Sequence, residues 1–362
     1  INTGAEEEKS LYTMARLFYS YRNKYMITGT VRRDGFSGFG TNDKIGIFPS
    51  VGLAWMVGDE SFIANNLPVM DNLKLRVSYG KTGRRGVGRY ETLAKLSVDP
   101  SRVFGDGGTS TLGQWISTMA NNELGWESTT GINLGADFGL FESRIYGNIE
   151  YYNNDTEDIL YNIQIPDLTG FSTVPTNIGK VHNYGLEFSL TGVLVRKADL
   201  NWEASLNYAR NRNEIKSILG ADNDGDGVED DLVGNQLFIG EPQNVVYDYK
   251  IIGMWQLADE EASSIPNGFF PGTYKIADTN DDGAYTPEDR QILAYRDPAY
   301  RFSISTRVNY KNWGLYIFVN SIQGGKDYYY ADGSPYPDGS QYKIDQLSYS
   351  NVPGWDYWMP EN

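Results

Sequence analysis

An acidic segment at 278–289 has the residue types and the spacing of a calcium-binding loop. Oxygen-bearing side chains occupy its first, third, fifth and twelfth positions, and Gly283 at the sixth position permits a sharp turn. A hard cation needs such a cage of oxygen ligands, although EF-hand loops more often close on Glu. The predicted ligands are Asp278, Asn280, Asp282, the carbonyl of Ala284, and Asp289. A structural Ca²⁺ is therefore expected here, and a solvated acidic turn is the alternative.

A second acidic segment at 222–231 matches only the first half of the same frame. Asp222, Asp224 and Asp226 occupy its first, third and fifth positions, and Gly227 follows them. The twelfth position is Val233, so Asp230 or Asp231 would have to close the loop. This segment is a possible second metal site, and a flexible acidic loop explains it equally well.

The C-terminal segment, from residue 328 onward, is rich in aromatic rings with carboxylates between them. Flat rings beside hydrogen-bonding groups suit stacking on sugar faces and binding of hydroxyls. The candidate substrate-binding residues are Tyr329, Tyr330, Tyr336, Trp355, Tyr357 and Trp358. For any one ring, packing within the loop or against a partner is the simpler explanation and is favoured over ligand binding.

Catalytic constellations are not recognisable in this chain, and we expect no enzyme activity. It has no cysteine and a single histidine, His182, so thiolate and His-rich metal sites are excluded. The glycine-rich stretch that begins at Gly80 lacks the spacing of a phosphate-binding loop. Carboxylates are plentiful, but no pair stands out as an acid and a base.

The elements that position these groups are predicted to be the strands of a transmembrane antiparallel β-barrel. In the segment 73–79, Leu73, Leu75 and Val77 alternate with Lys74 and Arg76. About ten segments alternate in this way, which is typical of outer-membrane barrels. Aromatic residues fall near the strand ends, where an interfacial belt belongs. A soluble β-sandwich also alternates, because one of its faces packs on a core. A barrel is favoured because the polar face carries ionisable residues, which a water-filled lumen tolerates.

The connections between these strands are short and long in turn, and this orients the sheet. Short connectors lie at 22–24, 139–143, 196–199 and 311–313, and they are expected to be periplasmic together with 57–72. Long excursions lie at 35–47, 84–128, 155–179, 213–298 and 323–362, and all of them are expected to be extracellular. One ambiguity remains at 245–255, which could be an eleventh barrel strand or part of the extracellular structure. The alternation of connections favours the second, unless 245–255 pairs with a strand near 290–295.

The composition agrees with an acidic, cell-exposed membrane protein. The net charge is −16 and no basic stripe is present, so nucleic-acid binding is not expected. No apolar run has the length of a membrane-spanning helix. The chain starts without the features of a signal peptide and stops in loop-like sequence. We therefore expect 1–362 to be a piece of a longer protein, with 213–298 as a long extracellular excursion.

Several stretches of the chain resemble SusC/RagA-type TonB-linked outer-membrane transporters, in order and over almost the whole length. The stretch Leu73-Lys-Leu-Arg-Val-Ser-Tyr-Gly-Lys-Thr-Gly83 is one of them. The others are the segments 25–40, 48–55, 124–130, 177–187, 278–290 and 358–362. The chain is similar to the C-terminal part of the barrel in that family.

The resemblance implies a larger barrel of about 22 strands, in the outer membrane of a Gram-negative bacterium. It also implies a plug domain, a TonB box that contacts the energy-transducing TonB complex, and a SusD-like surface lipoprotein. The plug, the TonB box and the closing strands are not recognisable in this chain. No substrate-binding residue carries over, because the long loops of the family vary with the substrate.

The leading hypothesis is TonB-dependent import of oligosaccharides together with the lipoprotein. Import of peptides is the main alternative, since the same family includes peptide importers. A third hypothesis, which is not a transporter, is a soluble or surface-attached β-rich carbohydrate-binding protein. The sequence does not name the substrate.

Overall fold

A ten-stranded antiparallel sheet dominates the computed structural model, which describes residues 6–103, 110–165, 167–171, 173–266 and 268–325. The strands in these ranges are β1 (Ser10–Tyr21), β2 (Tyr25–Phe36), β3 (Ile45–Met56), β4 (Met70–Arg84), β5 (Lys95–Val103), β6 (Ser110–Thr118), β7 (Glu127–Leu140), β8 (Ile145–Gln164), β9 (Thr173–Arg196), β10 (Leu200–Ser217), β11 (Val245–Tyr249), β12 (Ile251–Met254), β13 (Tyr274–Ile276), β14 (Arg290–Tyr295), β15 (Tyr300–Tyr310) and β16 (Trp313–Gln323). The large sheet has the order β1-β2-β3-β4-β7-β8-β9-β10-β15-β16. The predicted all-β architecture is confirmed.

The two faces of this sheet differ in polarity, as the alternation predicts. Antiparallel register places Trp55, Leu75, Ala136 and Ile149 in one row across β3, β4, β7 and β8. Leu75 and Ile149 keep 41% and 42% of their surface exposed. Most other large apolar side chains on the same face of the sheet are exposed as well. We call this the apolar face, and the opposite one, which carries Arg76, the polar face. Exposed apolar rows are favourable only against another apolar phase, so the apolar face fits contact with lipid.

Helices are few and short in this fold. Among the described ranges, α1 (Ser61–Asn66) lies between β3 and β4, and α2 (Leu257–Glu261) follows β12. No helix there is both long and apolar enough to cross a membrane.

The predicted excursion at 155–179 is too long, because β8 and β9 continue far beyond the apolar alternation. Their ladder includes the pairs Asp155↔His182 and Glu157↔Lys180. Lys180 Nζ lies 2.9 Å from an Asp155 carboxylate oxygen and 3.1 Å from one of Glu157. Cross-strand charge pairs of this kind support strands outside a membrane, where apolar alternation is no longer needed. The connection itself shrinks to the residues between Gln164 and Thr173.

Two other excursions contain strands that lie outside the large sheet. The hairpin β5–β6 occupies the 84–128 excursion, and the sequence did not predict it. β11 pairs with β14 and not with the large sheet, which answers the ambiguity at 245–255. β10 extends to Ser217 and β15 begins at Tyr300, so the long excursion starts and ends slightly later than predicted.

The chain divides into two compact units. The first comprises residues up to Gln243 together with Tyr300–Ser321, and it holds nearly all of the large sheet. The second comprises Asn244–Ala299 and the residues from Ile322, and it holds the pairs β11–β14 and β12–β13.

Candidate functional site

A charged cluster on the polar face joins three neighbouring strands. Arg76 of β4 binds Asp137 of β7 through two nitrogens, with distances of 2.8 and 3.0 Å to the two carboxylate oxygens. The same guanidinium reaches Glu150 of β8 at 2.7 Å. Bidentate geometry is the strongest form of an Arg–carboxylate contact. The cluster fixes three strands and leaves its remaining lone pairs available to water or a ligand.

Next to this cluster, hydroxyl and amide side chains lie on the polar face of β7 to β10 and β15, beside the charged residues Glu187, Glu203 and Arg307. Thr191 and Ser205 are hydrogen-bonded at 3.0 Å, and Asn207 donates to Ser303 at 3.3 Å. The other members are Asn133, Asn148, Ser189 and Ser305. These hydroxyl and amide groups offer both donors and acceptors, which suits hydroxyl-rich ligands and water.

At the long-loop end of the sheet, a small hydrophobic cluster holds three connections together. Phe36, Phe39, Val87 and Leu124 are all buried, and Trp126 packs against them. We call these five residues the rim cluster. Phe36 and Phe39 meet edge to face at 5.2 Å. The cluster pins the loops after β2, after β4 and before β7 to one another.

Gly40 makes the closest backbone approach within this rim. Its N–H donates to the Leu124 carbonyl at 2.8 Å, and a Cβ on Gly40 would lie 1.7 Å from the Asn122 carbonyl oxygen. Asn177 of β9 ties the same region down, since its side chain accepts from the Gly125 N–H at 2.7 Å. The rim is therefore built on backbone contacts that only glycine permits.

A pocket of about 410 Å³ opens beside the rim cluster, and we call it the rim pocket. Its polar lining includes Glu8, Lys9, Arg89, Tyr90 and Thr92. Arg89 Nε lies 3.2 Å from a Glu8 oxygen, so the guanidinium is partly neutralised. The volume is within the range of small-molecule sites. This pocket could not be predicted from the sequence, because it joins residues more than 80 positions apart in the chain, such as Glu7 and Tyr90.

The predicted substrate-binding residues Tyr329, Tyr330, Tyr336, Trp355, Tyr357 and Trp358 lie outside the described residues. Their role stays a prediction.

The 278–289 segment folds into the turn that its spacing predicts. Gly283 adopts a φ of 74°, and its N–H donates to Asp278 at 2.8 Å. The Ala284 N–H donates to Asp282 at 2.7 Å. These bonds place the first and fifth positions around the inside of one turn, as a calcium loop requires.

Asp289, at the twelfth position, is fully buried. Its carboxylate connects the start of this segment to its end through two hydrogen bonds. One carboxylate oxygen accepts from the Thr279 N–H at 2.7 Å, and the other from the Thr286 N–H at 2.8 Å. The backbone N–H groups of Thr279 and Thr286 lower the pKa of Asp289, so the carboxyl stays ionised. Its predicted role as the closing metal ligand would have to use the second lone pair of each oxygen.

The 222–231 segment shows the same hydrogen-bond pattern and a tighter group of carboxylates. The Gly227 N–H donates to Asp222 at 3.0 Å, and the Val228 N–H donates to Asp226 at 2.7 Å. Carboxylate oxygens of Asp222, Asp224 and Asp226 all lie within 4.8 Å of one another. Within the described ranges, this is the one group of three or more acidic, His or Cys side chains close enough to share a metal ion. The spacing in the sequence favours the 278–289 segment over this one as a metal site.

The other acidic residues of this segment anchor it and do not face the carboxylate group. Asp230 accepts from the Asn223 N–H at 2.8 Å, and Asp231 accepts from the Ile239 N–H at 2.7 Å. Glu229 accepts from the N–H groups of Ile218 and Gly220. Burial raises the pKa of Glu229, but these backbone donors outweigh it and the net pKa is lowered. Asp230 and Asp231 thus hold the loop through backbone hydrogen bonds. The structure therefore does not identify which residue would complete a metal site here.

An amphipathic antiparallel sheet with an apolar face, a polar face and long loops at one end defines an outer-membrane β-barrel protein. The chain matches the family model of the TonB dependent receptor-like β-barrel over residues 2–358. It therefore belongs to the TonB-dependent receptor β-barrel family. Members of this family are transporters in the outer membrane of Gram-negative bacteria.

Individual relatives agree with this assignment. The TonB-dependent receptor P26 of Formosa agariphila is 31% identical over 351 residues, which is 96% of this chain and 34% of the relative. The TonB-dependent receptor SusC of Bacteroides thetaiotaomicron is 33% identical over 329 residues, 87% of this chain and 31% of SusC. The chain thus spans about a third of the length of these curated relatives.

A solved structure shows the same fold. The RagAB peptide transporter matches with a TM-score of 0.71 and 25% identity, over 88% of this chain and 34% of the RagAB chain. The large sheet of this chain is open, and the match covers about a third of the RagAB chain, as is consistent with a part of a larger barrel.

Proposed function

We propose that this chain is part of a TonB-dependent importer that moves oligosaccharides across the outer membrane. The proposal rests on one observation above all: the sheet combines a lipid-compatible face with a polar face, in a chain that matches the receptor family over nearly its whole length. Family membership supplies the direction of transport and the energy source. The TonB box and the plug would belong to other parts of the whole protein.

The proposed partner is a SusD-like surface lipoprotein that covers the extracellular loops. SusC is a relative at 33% identity, and the RagAB peptide transporter is a structural neighbour at 25% identity. The rim cluster supports this proposal physically, because it holds three loop segments in one arrangement at the outer end of the sheet. A prearranged loop surface binds a partner at a lower cost in conformational entropy.

The hydroxyl and amide side chains of the polar face favour oligosaccharides. Thr191, Ser205, Asn207 and Ser303 form short side-chain hydrogen bonds that a sugar hydroxyl can replace or extend. Sugars are neutral and rich in hydroxyls, so side-chain hydroxyl and amide groups can bind them as both donors and acceptors. The aromatic C-terminal segment from the sequence prediction would supply stacking surfaces.

Peptides are the second candidate, and two observations favour them. RagAB is a peptide transporter at 25% identity. The rim pocket carries both signs of charge, with Glu8, Lys9 and Arg89 in its lining, and such a pocket could bind the two charged ends of a peptide.

Binding to the full-length protein with its lipoprotein separates the two candidates. Isothermal titration with a panel of defined oligosaccharides and a panel of short peptides is expected to show binding of at least one oligosaccharide. Deletion of the TonB box should abolish uptake and leave that surface binding unchanged. Tight binding of peptides with no response to any oligosaccharide would contradict the preferred substrate class and support the second.

A further inference from the structure

A ladder of aromatic rings runs along the apolar face at the short-turn, periplasmic end of the sheet. Tyr21 and Tyr25 stack at 6.4 Å, Tyr25 and Trp55 at 6.1 Å, and Trp55 lies 6.4 Å from Phe62 of α1. Tyr and Trp are the residues that sit at a membrane–water interface, because their rings are apolar and their tips are polar. We call these four residues the aromatic ladder.

Glu60, in the connection between β3 and β4, fixes the polar tips of this ladder. Its carboxylate accepts from the Tyr25 hydroxyl at 2.8 Å and from Trp55 Nε1 at 3.3 Å. Lys24 Nζ lies 3.4 Å from the other carboxylate oxygen. The two rings are therefore held in place with their polar tips at the periplasmic connection and their apolar surfaces toward the membrane.

Directly beside the ladder, the apolar face has a depression of about 760 Å³. Tyr25 and Trp55 form one wall, and Leu75, Leu134 and Ile149 form the others. Ala136, the small residue of its row, lies between Leu75 and Ile149 and makes the floor. The remaining lining is almost entirely apolar, as its principal members Leu53, Val77 and Tyr151 show.

A cation lies at the same end of the ladder. Arg22 belongs to the turn between β1 and β2, and its guanidinium is 5.2 Å from the Tyr21 ring. The side chain is exposed, and within the described part of the chain it makes no ion pair with a carboxylate. Lys24, in the same turn, is already engaged with Glu60. Arg22 is thus the available positive charge at the interface next to the depression.

We propose that this arrangement is a binding site for one phospholipid of the periplasmic leaflet. The phosphate of the head group would bind Arg22, and an acyl chain would run over the ladder into the depression above Ala136. In lipid there is no hydrophobic gain from filling the depression, so shape and dispersion contacts decide which chain occupies it. A phosphate held at Arg22 keeps the same lipid in place, because it fixes the depth at which the chain enters.

A lipid fits this site better than a second copy of the barrel does. The depression is a hollow in the outer surface of a barrel wall, and only a flexible chain can reach a floor as low as Ala136 between larger neighbours. Its lining has almost no polar groups, whereas the cation and the polar ring tips gather at one end. That separation matches the two parts of a phospholipid.

The test uses the full-length protein in mild detergent and counts retained lipids by native mass spectrometry. The probes are phosphatidylglycerol, phosphatidylethanolamine and diacylglycerol, which has the chains but no phosphate. One molecule of either phospholipid is expected to stay bound. Arg22→Gln should weaken this retention about fivefold, the effect of one basic residue near an anionic surface. Diacylglycerol should bind the native protein as weakly as the phospholipids bind this variant.

Ala136→Phe tests the depression separately, and retention of the phospholipid should be lost when the floor is filled. Each variant has a matched control on the same sheet. Ala204→Phe places the same ring on the apolar face of β10, outside the depression, and Lys311→Gln removes a turn cation that lies 5.5 Å from the Tyr310 ring. Neither control should change the lipid count. Heat-modifiable gel mobility would show that each barrel is folded, and Ala136→Leu replaces the Phe variant if it is not.

Equal retention of all three lipids by the native protein and by Arg22→Gln would overturn the proposal. So would a folded Ala136→Phe or Ala136→Leu protein that keeps its bound phospholipid. If Ala136→Phe changes the oligomeric mass and not the lipid count, the depression is an interface between protein copies and the lipid site is wrong. None of these outcomes depends on which substrate is imported.

Discussion

Asp282 and Asp281 are neighbours with very different positions in the 278–289 turn. Asp282 is the fifth residue of the frame, and its carboxylate accepts from the Ala284 N–H on the inside of the turn. Asp281 has a φ of 57° and occupies the fourth position, which does not ligate in such loops. Substitution of either residue by Asn removes one negative charge, but only Asp282 is a predicted calcium ligand. Comparing the two variants therefore tests the calcium prediction.

Asp282→Asn is expected to weaken calcium binding at least about tenfold, since one ligand charge is lost from a site of few ligands. Asp281→Asn should leave the affinity nearly unchanged, because Asn tolerates the left-handed backbone at that position. Calcium titration of the full-length protein, followed by its thermal unfolding, measures both. Equal affinity in the two variants would show that 278–289 is only a solvated turn.

The lowered pKa of Asp289 predicts that this turn is sensitive to acid. A carboxyl group whose pKa is depressed in the folded state stabilises that state above its unfolded pKa of about 3.9. The contribution is lost as the pH falls through the lower folded value. Protonation would turn one of the two acceptor oxygens into a hydroxyl and weaken the hydrogen bonds from the Thr279 and Thr286 N–H groups.

Amide exchange at matched pH separates this effect from the intrinsic pH dependence of exchange. At pH 7, Asp289→Asn should exchange the 279–286 amides faster than the native protein, and the two proteins should converge as the pH falls below the folded pKa. Glu288→Gln, at the exposed neighbouring position, is the control and should behave like the native protein. If the 279–286 amides of Asp289→Asn are as well protected as those of the native protein, this carboxylate does not hold the two ends of the turn together.

At the scale of elements, the Arg76 cluster joins β4, β7 and β8 on the polar face. Arg76→Gln leaves Asp137 and Glu150 facing each other without a cation. We expect a loss of about 1–3 kcal/mol, below the cost of breaking a fully buried pair, because all three side chains are partly exposed. The thermal midpoint of the folded barrel in detergent measures this loss.

Lys74→Gln is the matched control, since Lys74 lies on the same strand and face, opposite Asp137 in the register, and makes no ion pair within the described ranges. The triple change Arg76→Gln, Asp137→Asn and Glu150→Gln should recover much of the stability, because it removes the unpaired carboxylates as well. A triple variant less stable than Arg76→Gln alone would show that the ion pairs are not what joins these strands.

The rim cluster is predicted to depend on Gly40 in particular. Gly40→Ala would force the 37–43 loop away from the Asn122 carbonyl, at a cost of about 1–3 kcal/mol confined to the rim. Gly29→Ala is the control, since no atom lies within 4 Å of a Cβ there. Amide exchange should become faster in the rim loops of Gly40→Ala. In Gly29→Ala it should stay unchanged, both in the rim loops and around position 29. Equal protection in both would mean that the rim loops can shift freely.

The strands of the large sheet could be predicted from sequence wherever lipid imposes alternation, as in Leu73 to Tyr79 of β4. The outer ends of β8 and β9 could not, because Asp155 and Lys180 pair outside the membrane, where polar residues form strands without an apolar period. The turn at Gly283 was predicted, since its shape is local. The rim pocket was not, because only the paired strands bring Glu7 close to Tyr90.

For the whole molecule, membership of the TonB-dependent receptor β-barrel family and the two-faced sheet support each other. The family match identifies the kind of barrel, and the exposed apolar rows show where lipid must lie. This chain covers about a third of its curated relatives, so substrate, partner and coupling belong to proposals about the longer protein. What this part contributes is a wall of the barrel with the long loops at one of its ends and the short turns at the other.

Alternating exposure along β4 is the most direct test of this account. The chain contains no cysteine, so single spin labels at positions 74 to 79 can be introduced without removing native thiols from this part. In outer-membrane vesicles, labels at Leu75, Val77 and Tyr79 should be accessible to oxygen from the lipid phase. Labels at Lys74, Arg76 and Ser78 should instead be accessible to a water-soluble nickel reagent. Uniform access to the nickel reagent along the whole strand would contradict a transmembrane barrel.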